Sequence, residues 1–436
     1  MLSKLRRTPA LVAAACIVFA SACSSAAPAK VIRIGVELPL SGAEGRAGTP
    51  VLNGVRFYVH QHPTIGGFTV EVVTRDDAVN GVHNAAQGAR NITSLAADSL
   101  VVGVVGPFDS SVARAEIPVA NLAHLAIVSP GVSSRCLTKE PFLPAGLSPA
   151  HTEISCKTAG LPTPSELRPT GKNNFFRLAT TDDLQGPAAA DYGYKDLKLR
   201  RVAVLSDHEA YGQALAAGFA TRFTNLGGSV VSHLDFDPSG NLDLTAFMRH
   251  AKDDGAQAIY YGGVTANHGC TLRAQMASTF SAGETSAFLG GDGIAQDPQC
   301  VRNAGGNAVG MFATVPAVAA GSVMAAQPLI KAFKAQYPQG SDYGAYTASA
   351  YDSTGVLYAA IGHAINSAGG KSPSRDSVIK ELAATTAFAG ATGTFGFDSA
   401  GDTSMRTLSV FESKSADPAQ PWTWVTSVDY TTALPY

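Results

Sequence analysis

The sequence has few charged residues and no concentration of charge of either sign. Asp, Glu, Lys and Arg make up 15% of the 436 residues, and 32 basic residues against 34 acidic ones give a formal net charge of −2. No basic tract interrupts this balance. Because the chain carries no field that attracts polyanions or anionic membrane surfaces, nucleic acid is not expected as a partner.

Long hydrophobic runs are also missing, because no segment reaches the ~18 uninterrupted apolar residues that span a bilayer. At the N-terminus, Lys4, Arg6 and Arg7 precede a shorter apolar run over residues 10–20, which small residues then follow. This pattern is typical of a secretory signal peptide, which we place at residues 1–22.

The small residues directly before Cys23 resemble a bacterial lipobox, although Ala20 stands where leucine is usual. We therefore expect an exported protein that lipid on Cys23 anchors to the outer face of the cell membrane. Residues 23–30 would then form a short flexible tether. Plain cleavage and release is the alternative that this pattern leaves open.

Cysteine is scarce, and no C-x-x-C spacing occurs, which argues against a zinc ribbon and a redox dithiol. Once Cys16 in the signal peptide and Cys23 are set aside, four cysteines remain, and in an oxidising compartment they allow three pairings. We favour the pairing of nearest neighbours, because each pair then brackets one loop-rich stretch. The predicted disulfides are Cys136 with Cys156 and Cys270 with Cys300.

Enzyme signatures are absent or incomplete, so we expect no catalytic residue, no metal and no cofactor. The sequence contains no G-x-S-x-G nucleophile elbow. Ser377 and Lys380 fit S-x-x-K but lack the other motifs of penicillin-recognising enzymes, and the GGKS at 369–372 lacks the first glycine of a P-loop. His60 and His62 have no third metal ligand nearby. The chain is therefore interpreted as a non-enzyme.

What the sequence does contain is an alternation of apolar runs with helix-length amphipathic segments, which predicts parallel sheets in an α/β fold. Its length suits two domains. A proline-rich stretch over 134–174 indicates an ordered insertion, and helices are expected over 327–336 and 345–367. The tail after Thr407 returns to strand character. The apolar runs are VIRIGVEL, FTVEVVT, LVVGVVG, LAIVS, RVAVLSD, SVVSHLDF, AIYYGG, SAFLGG and AVGMFATV.

Several stretches, taken in order, resemble the type I periplasmic binding proteins of the leucine/isoleucine/valine receptor family. The resemblance covers nearly the whole mature chain. It implies two doubly wound parallel-sheet lobes joined by crossover hinge strands, the Venus-flytrap architecture. The stretches are IRIGVELPLSG, LNGVRF, RDDAVN, VGPFDSSVA, IVSPGVSS, FRLATTDDLQGPAAADY, AYGQALAAGF, AIYYGGVT and FLGGDGI.

We expect the chain to cross between the lobes more than once. Lobe 1 is predicted at 31–181 plus 317–404, and lobe 2 at 182–316 plus 405–436. In this interpretation the two lobes close as a hinge on one ligand that touches both of them. The protein would act as a monomer, and its partners would be a small-molecule ligand and the permease of an ABC transporter.

In the first lobe, the strand LVVGVVG runs into Gly106, Pro107 and the hydroxyls of Ser110 and Ser111. A helix that starts near Ser110 would present free N–H groups and a positive dipole end, which suits a carboxylate. The alternative is that Ser110 only caps this helix. The resemblance implies that Ser110, the backbone of Val132 and Ser133 grip the carboxylate of an amino-acid ligand.

In the second lobe, Asp292 stands in the glycine-rich turn GGDGI after a strand, and the resemblance implies that it takes the ligand's ammonium group. A turn aspartate that caps its own backbone is the alternative. Tyr211 and Val264 follow other strand ends and are predicted to face the cleft, Tyr211 either covering the ligand with its ring or lying half-buried at a helix start.

Two departures from the family pattern lie beside the expected pocket. Asp109 stands where the family has a loop cysteine, and Ala47 takes the place of a frequent tyrosine, next to Arg46. Both charged residues indicate a ligand more polar than leucine. We therefore include Arg46, Asp109 and Ser111 as further candidate ligand contacts.

Three functional classes follow from these patterns. The first is an exported lipoprotein that captures an amino acid or similar small polar solute and delivers it to an ABC importer. The second is a ligand-sensing receptor domain that signals to a membrane partner. A secreted hydrolase is the third and the least supported, because no nucleophile, base and orienting group can be assembled from the sequence.

Overall fold

The computed structural model describes residues 30–148, 152–240, 242–280, 287–420 and 422–436. The predicted signal peptide over 1–22, Cys23 and most of the tether lie outside the described residues. Among the helices within the described ranges, none combines the length and the hydropathy that a membrane span requires.

The first sheet has six strands in the order β2-β3-β1-β6-β7-β8, all of them parallel except β2. A separate short hairpin, β4-β5, follows β3. The bounds are β1 Val31–Leu38, β2 Thr64–Ile65, β3 Phe68–Asp76, β4 Ala78–Val79, β5 Val82–His83, β6 Val101–Val105, β7 Ile127–Ser129 and β8 Phe175–Arg177.

The second sheet has seven strands in the order β10-β9-β11-β12-β13-β16-β17. The first five are parallel, and the last two add to the sheet antiparallel, as the strand character of the tail predicts. A small hairpin, β14-β15, lies apart. The bounds are β9 Arg201–Ser206, β10 Ser229–Asp235, β11 Ala258–Gly262, β12 Ala287–Gly290, β13 Met311–Val315, β14 Phe388–Gly390, β15 Gly393–Phe395, β16 Thr407–Ser413 and β17 Thr423–Asp429.

Helices cover both faces of each sheet, which is why the strands are apolar on both sides rather than alternating with polar residues. In β9, Val202 and Val204 pack in one apolar cluster while Ala203 and Leu205 pack in another on the opposite face. The helix bounds are α1 Gly45–Gln61, α2 Ala85–Ala97, α3 Ser110–Leu122, α4 Asp182–Lys195, α5 Ala210–Asn225, α6 Thr245–Asp253, α7 Gly269–Thr279, α8 Pro298–Ala304, α9 Gln327–Gln336, α10 Thr347–Ser367 and α11 Arg375–Ala383. The predicted doubly wound α/β fold is confirmed.

Three chain segments pass between the lobes beside one another. The Thr180 N–H donates to the Pro316 carbonyl oxygen at 2.9 Å, and the Ala319 N–H donates to Ser409 Oγ at 2.7 Å. After the second crossing, α10 and α11 pack on the first sheet, and β16 then returns to the second sheet. The predicted lobe boundaries stay predictions, although the strands divide between the two sheets in that order.

Outside residues 149–151, which the structure does not describe, the insertion over 134–174 holds two short 3₁₀ turns, Arg135–Leu137 and Ala145–Leu147, and one isolated bridge between Leu143 and Ile154. A disulfide between Cys136 and Cys156 ties it together, and the second disulfide joins α7 to α8 through Cys270 and Cys300. Both pairs are the nearest neighbours that the spacing favours. Closing such loops stabilises the fold by restricting the unfolded chain.

Candidate functional site

A cavity of about 830 Å³ lies between the two lobes. From the first lobe, its wall includes the loop after β1, the start of α1, the residues just before α3 and the segment before α10. From the second lobe, the wall includes the turns after β11 and β12, helix α8 and the loop between β16 and β17. Because parallel strands end at one edge of a sheet, ligands of α/β proteins bind at this kind of edge.

The predicted contact residues divide into two sets by position. The set that lines the cavity comprises Arg46, Asp109, Val264 and Asp292. The described cavity wall does not include Ser110, Ser111, Val132, Ser133 or Tyr211. The first-lobe residues predicted to grip a carboxylate are therefore not part of this wall, whereas the acid of the second lobe is.

Asp109, rather than Ser110, caps helix α3. Asp109 Oδ1 accepts hydrogen bonds from the Ser111 N–H at 2.7 Å and from the Val112 N–H at 3.4 Å. Ser110 is the first helical residue, and its Oγ accepts from the Ser134 N–H at 3.2 Å. The alternative interpretation of Ser110 as the helix cap is therefore wrong. Asp109 satisfies the helix N-terminus because its carboxylate complements both the free N–H groups and the dipole.

The turn after β7 uses its polar groups within the first lobe. The Val132 N–H donates to Ser129 Oγ at 3.0 Å, and the Val132 carbonyl accepts from Arg177 at 3.4 Å. Ser133 is 3% exposed, and its side chain hydrogen-bonds to Asp182 at the start of α4. Burial raises the pKa of Asp182 to about 7, against this hydrogen bond. The turn is thus tied to the first crossing between the lobes.

Asp292 receives hydrogen bonds from three side chains. Oδ1 accepts from Gln185 Nε2 at 2.7 Å and from the Tyr211 hydroxyl at 2.6 Å, and Oδ2 accepts from the Tyr346 hydroxyl. Gln185 and Tyr211 lie on α4 and α5 of the second lobe, whereas Tyr346 immediately precedes α10 on the first sheet. Asp292 is therefore bonded from both sides of the cleft, and it does not cap its own turn.

Burial and the adjacent charge of Asp292 raise the pKa of Tyr211 and of Tyr346 well above the usual pKa of a tyrosine. Each hydroxyl therefore remains protonated and acts as a donor to the carboxylate. Tyr211 also accepts from the Gly293 N–H at 3.1 Å, so it lies behind Asp292 and does not cover the cavity. Its role in this arrangement is to orient the acid.

Phe108 and Tyr346 form an edge-to-face pair in the first-lobe wall, with ring centroids 5.3 Å apart and an interplanar angle of 83°. Tyr346 is 4% exposed. Both rings lie close to the backbone of Gly131, where an added Cβ would approach Phe108 Cε2 to 3.0 Å. The pair therefore covers the turn that holds Val132 and Ser133.

His83 lies in the cavity wall between two acids. Its Nδ1 is 2.9 Å from Glu44 Oε2, and its Nε2 is 3.5 Å from Asp109 Oδ1. Burial would lower the pKa of His83, but the hydrogen bond with Glu44 and the charge of Asp109 raise it to about 9. His83 is therefore a cation at neutral pH, and it neutralises part of the acidic charge in this wall.

Three fully buried acids, Glu37, Asp77 and Glu116, lie behind this wall, and we call them the acid cluster. The carboxyl group of Glu37 lies beside those of the other two, and its Oε1 accepts from Asn91 Nδ2 at 2.9 Å. No amide, amine or hydroxyl donor among the described residues reaches either oxygen of Asp77 or Glu116. Because a buried carboxylate without donors is strongly disfavoured, the cluster must hold protons at neutral pH.

Arg46 is exposed at the start of α1 and lines the cavity. It has no hydrogen-bond or ion-pair partner within the described part of the chain. Across the same residues, no group of three or more His, Cys, Asp or Glu side chains has an arrangement that could hold a metal ion. Arg46 therefore offers the cavity a guanidinium group that an anionic ligand could meet.

Sequence reasoning missed Phe108, Gln185 and Tyr346. Phe108 lies inside the stretch VGPFDSSVA, where a bulky ring between a strand end and a helix cap indicates a side chain at the edge of the cleft. Tyr346 falls at the start of the helix predicted over 345–367, but its partner Asp292 lies on the other lobe. No local pattern connects residues that far apart in the chain.

Comparison with known proteins identifies relatives over most of this chain. The family described as periplasmic binding protein matches residues 31–418. A Leu/Ile/Val-binding protein homolog from Brucella melitensis is 29% identical over 384 residues, which cover 87% of this chain and 91% of that protein. A leucine-, isoleucine-, valine-, threonine- and alanine-binding protein from Pseudomonas aeruginosa is 30% identical over 250 residues, 57% of this chain and 63% of that protein.

Solved structures share the fold. A leucine-binding protein from Thermotoga maritima aligns with a TM-score of 0.72 and 24% identity, covering 92% of this chain and 99% of that one. A solute-binding protein of an ABC transporter from Rhodopseudomonas palustris, in complex with 4-hydroxybenzoate, aligns with a TM-score of 0.70 and 19% identity, covering 92% and 97%. The family match, the two lobes and the cavity between them agree, and this chain belongs to the periplasmic binding protein family.

Proposed function

We propose that this chain is an extracytoplasmic solute-binding protein that captures an amino acid or similar small polar solute between its lobes. It would deliver that solute to the permease of an ABC importer and act as a monomer, anchored to the membrane by lipid on Cys23. The named relatives support the solute class, since the Brucella and Pseudomonas proteins are named as amino-acid-binding. Leucine and 4-hydroxybenzoate, named with the structural relatives, both carry a carboxyl group.

The observation that carries this proposal is the position of Asp292. It lies in the wall of an interlobe cavity and accepts hydrogen bonds from Tyr211 of the second lobe and Tyr346 of the first. A carboxylate has about four acceptor positions. Three are filled here, so one remains for a donor of the ligand.

Capture would work through closure of the two lobes about the crossing segments. A ligand that touches both lobes binds the closed arrangement more tightly than the open one, and this difference in affinity drives closure. Three hydrogen-bond donors already stabilise the carboxylate of Asp292, which reduces the cost of removing it from water. A ligand donor completes the set.

The first experiment is a thermal-shift screen of the purified protein against amino acids, amides and small carboxylates. A ligand that binds only the folded state raises the melting temperature, so the true class should stand out at millimolar concentration. Asp292→Ala should then weaken binding of the best ligand by about 2 to 5 kcal/mol, because the ligand donor is left buried without its acceptor.

Calorimetry with that ligand measures the loss, and Asp376→Ala on the exposed side of α11 is the matched control that should bind like the parent protein. Both variants must melt close to the parent temperature. If Asp292→Ala binds as tightly as the parent, the ligand makes no hydrogen bond to this carboxylate and the proposed role of Asp292 fails.

A further inference from the structure

One side chain, Tyr346, spans the distance between the two halves of the site that the family resemblance implies. A Cβ placed on Gly131 would lie 3.5 Å from Tyr346 Cδ1, so the ring contacts the backbone beside Val132. At its other end, the Tyr346 hydroxyl donates to Asp292 Oδ2. The phenol thus connects the turn expected to grip a carboxylate with the acid expected to take an ammonium group.

Phe108 fixes this ring in place. It packs edge-to-face against Tyr346 and also lies against Gly131, with Phe108 Cε2 3.0 Å from the added Cβ position. Tyr346 is almost fully buried and directly precedes the first turn of α10, which packs on β6 and β7. The two rings are therefore a fixed part of the first-lobe wall. Any solute that lay between Val132 and Asp292 would clash with them.

We propose that Phe108 and Tyr346 determine the ligand class by excluding branched-chain amino acids from the position between Val132 and Asp292. The ligand then lies on the outer side of the two rings. This inference rests on the proposed function as a solute-binding protein and names its solute class: a carboxylic acid with a body bulkier than a leucine side chain.

The cavity between the two lobes has the size and chemistry for such a ligand. Its volume of about 830 Å³ falls in the range of roughly 300 to 1,000 Å³ that takes drug-sized molecules. Arg46, which has no ion-pair partner among the residues that the structure describes, provides a guanidinium for a carboxylate. Phe108, Tyr343 and Trp422 provide aromatic surface for the body of the ligand, and Asp292 provides one acceptor position.

The test is a gain of binding with leucine as the probe, measured by calorimetry. In the double variant Phe108→Ala/Tyr346→Ala, the space between Val132 and Asp292 opens, and Asp292 Oδ2 loses a donor that an ammonium group can replace. We expect the double variant to bind leucine at least about tenfold more tightly than the parent protein. Tyr346→Phe keeps the ring and should show no gain.

A third substitution shows where leucine binds in the double variant. Adding Asp292→Ala to the double variant should abolish the gain, because the ammonium acceptor is then missing. A gain that survives this change would place leucine elsewhere and overturn the assignment. Leucine binding by the parent as tight as that of the double variant would overturn it as well, as would the absence of any gain in a double variant that melts close to the parent temperature.

A milder variant keeps the test usable if the double variant melts too low for calorimetry. Tyr346→Leu retains apolar bulk before α10 but replaces the ring by a shorter side chain, which opens part of the space beside Asp292, so a smaller gain in leucine affinity is expected, and no gain would refute the proposal. The solute screen on the parent protein decides the proposed function separately. A parent that binds a screened solute while neither variant gains leucine binding would refute only the role of the two rings.

Discussion

The buried acid Asp402 and the three buried acids of the acid cluster, all in the first lobe, differ in charge state. Asp402 faces Arg177 Nε at 2.8 Å and Lys139 Nζ at 2.9 Å. Burial would raise the pKa of Asp402, but the charges of Arg177 and Lys139 lower it to about 2. In the acid cluster no described cation forms an ion pair with a carboxyl group. Burial raises the pKa of all three, and that of Asp77 reaches about 9 although the charge of His83 lowers it.

The difference shows that burial alone does not decide the charge of a carboxyl group. Both groups are almost completely removed from water, yet Asp402 is ionised at neutral pH and the acid cluster holds protons. What decides is whether cations or hydrogen-bond donors face the oxygens. The same lobe therefore contains one acid whose stabilisation is lost at low pH and three whose stabilisation is lost at high pH.

The largest effect on stability is expected when the buried cation beside Asp402 is removed. Arg177→Met leaves Asp402 buried with only Lys139, and it also removes the donors to Ser134 and Thr138. We expect the free energy of unfolding to fall by about 3 to 5 kcal/mol, which is typical when one partner of a buried pair is lost. Urea unfolding at pH 7 measures this change.

The control for that experiment is Arg33→Met, which removes a partly exposed cation from its pairs with Glu71 and Asp98. Exposed pairs are worth about 1 kcal/mol or less. An Arg177→Met variant as stable as the Arg33→Met variant would show that Asp402 does not depend on its buried cation.

A smaller effect is expected when the free energy of unfolding is measured as the pH falls, because Asp402 then takes up a proton. The folded pKa of Asp402 lies near 2 and the ordinary value is 3.8, so its contribution is present above about pH 4 and is lost as the pH falls through 2. This shift corresponds to about 2 kcal/mol. Asp402→Asn should reduce the slope of unfolding free energy between pH 4 and 2, and an unchanged slope would assign the acid loss to other groups.

Glu116→Gln should give the smallest change, at the opposite end of the pH range. The pKa of Asp77 is raised from 3.8 to about 9, so the stability that its proton provides is full below about pH 4 and declines as the pH rises to 9. Burial and the charges of Glu37 and Asp77 raise the pKa of Glu116 as well, and an amide at position 116 cannot ionise against them at high pH. At pH 9 we expect the variant to be roughly 1 kcal/mol more stable relative to the parent than at pH 5.

Chemical unfolding at both pH values provides this measurement, with Glu166→Gln in the exposed part of the insertion as the control. Parent and Glu116→Gln curves that run parallel from pH 5 to 9 would mean that the acid cluster does not share protons in the folded state.

Much of the fold could be predicted because it depends on local patterns. The alternation of apolar runs and helix-length segments indicates the parallel strands, the helix over Gln327–Gln336 and the two strands of the tail. The nearest-neighbour cysteines pair as expected because each pair closes a short loop. These features need only the residues within one segment and its neighbours.

The cavity wall could be predicted only in part, because its chemistry depends on residues brought together by the tertiary structure. Asp292 was identified from its turn, but Tyr346 bonds to it from the other lobe. Glu37, Asp77 and Glu116 each look like an ordinary polar residue of a strand, a loop and a helix. Only their packing shows that the three carboxyl groups are buried against one another and hold protons.

The antiparallel strand β16 also determines when the second lobe can be completed during synthesis. It pairs with β13, so the outer edge of β13 stays unpaired until residues after Thr407 have left the ribosome. The first sheet waits as well, since α10, which covers β6 and β7, begins only at Thr347. Neither core can close on a nascent chain that lacks its last quarter. Both cores therefore depend on contacts between residues far apart in the chain, and such contacts form slowly because long loops must close first.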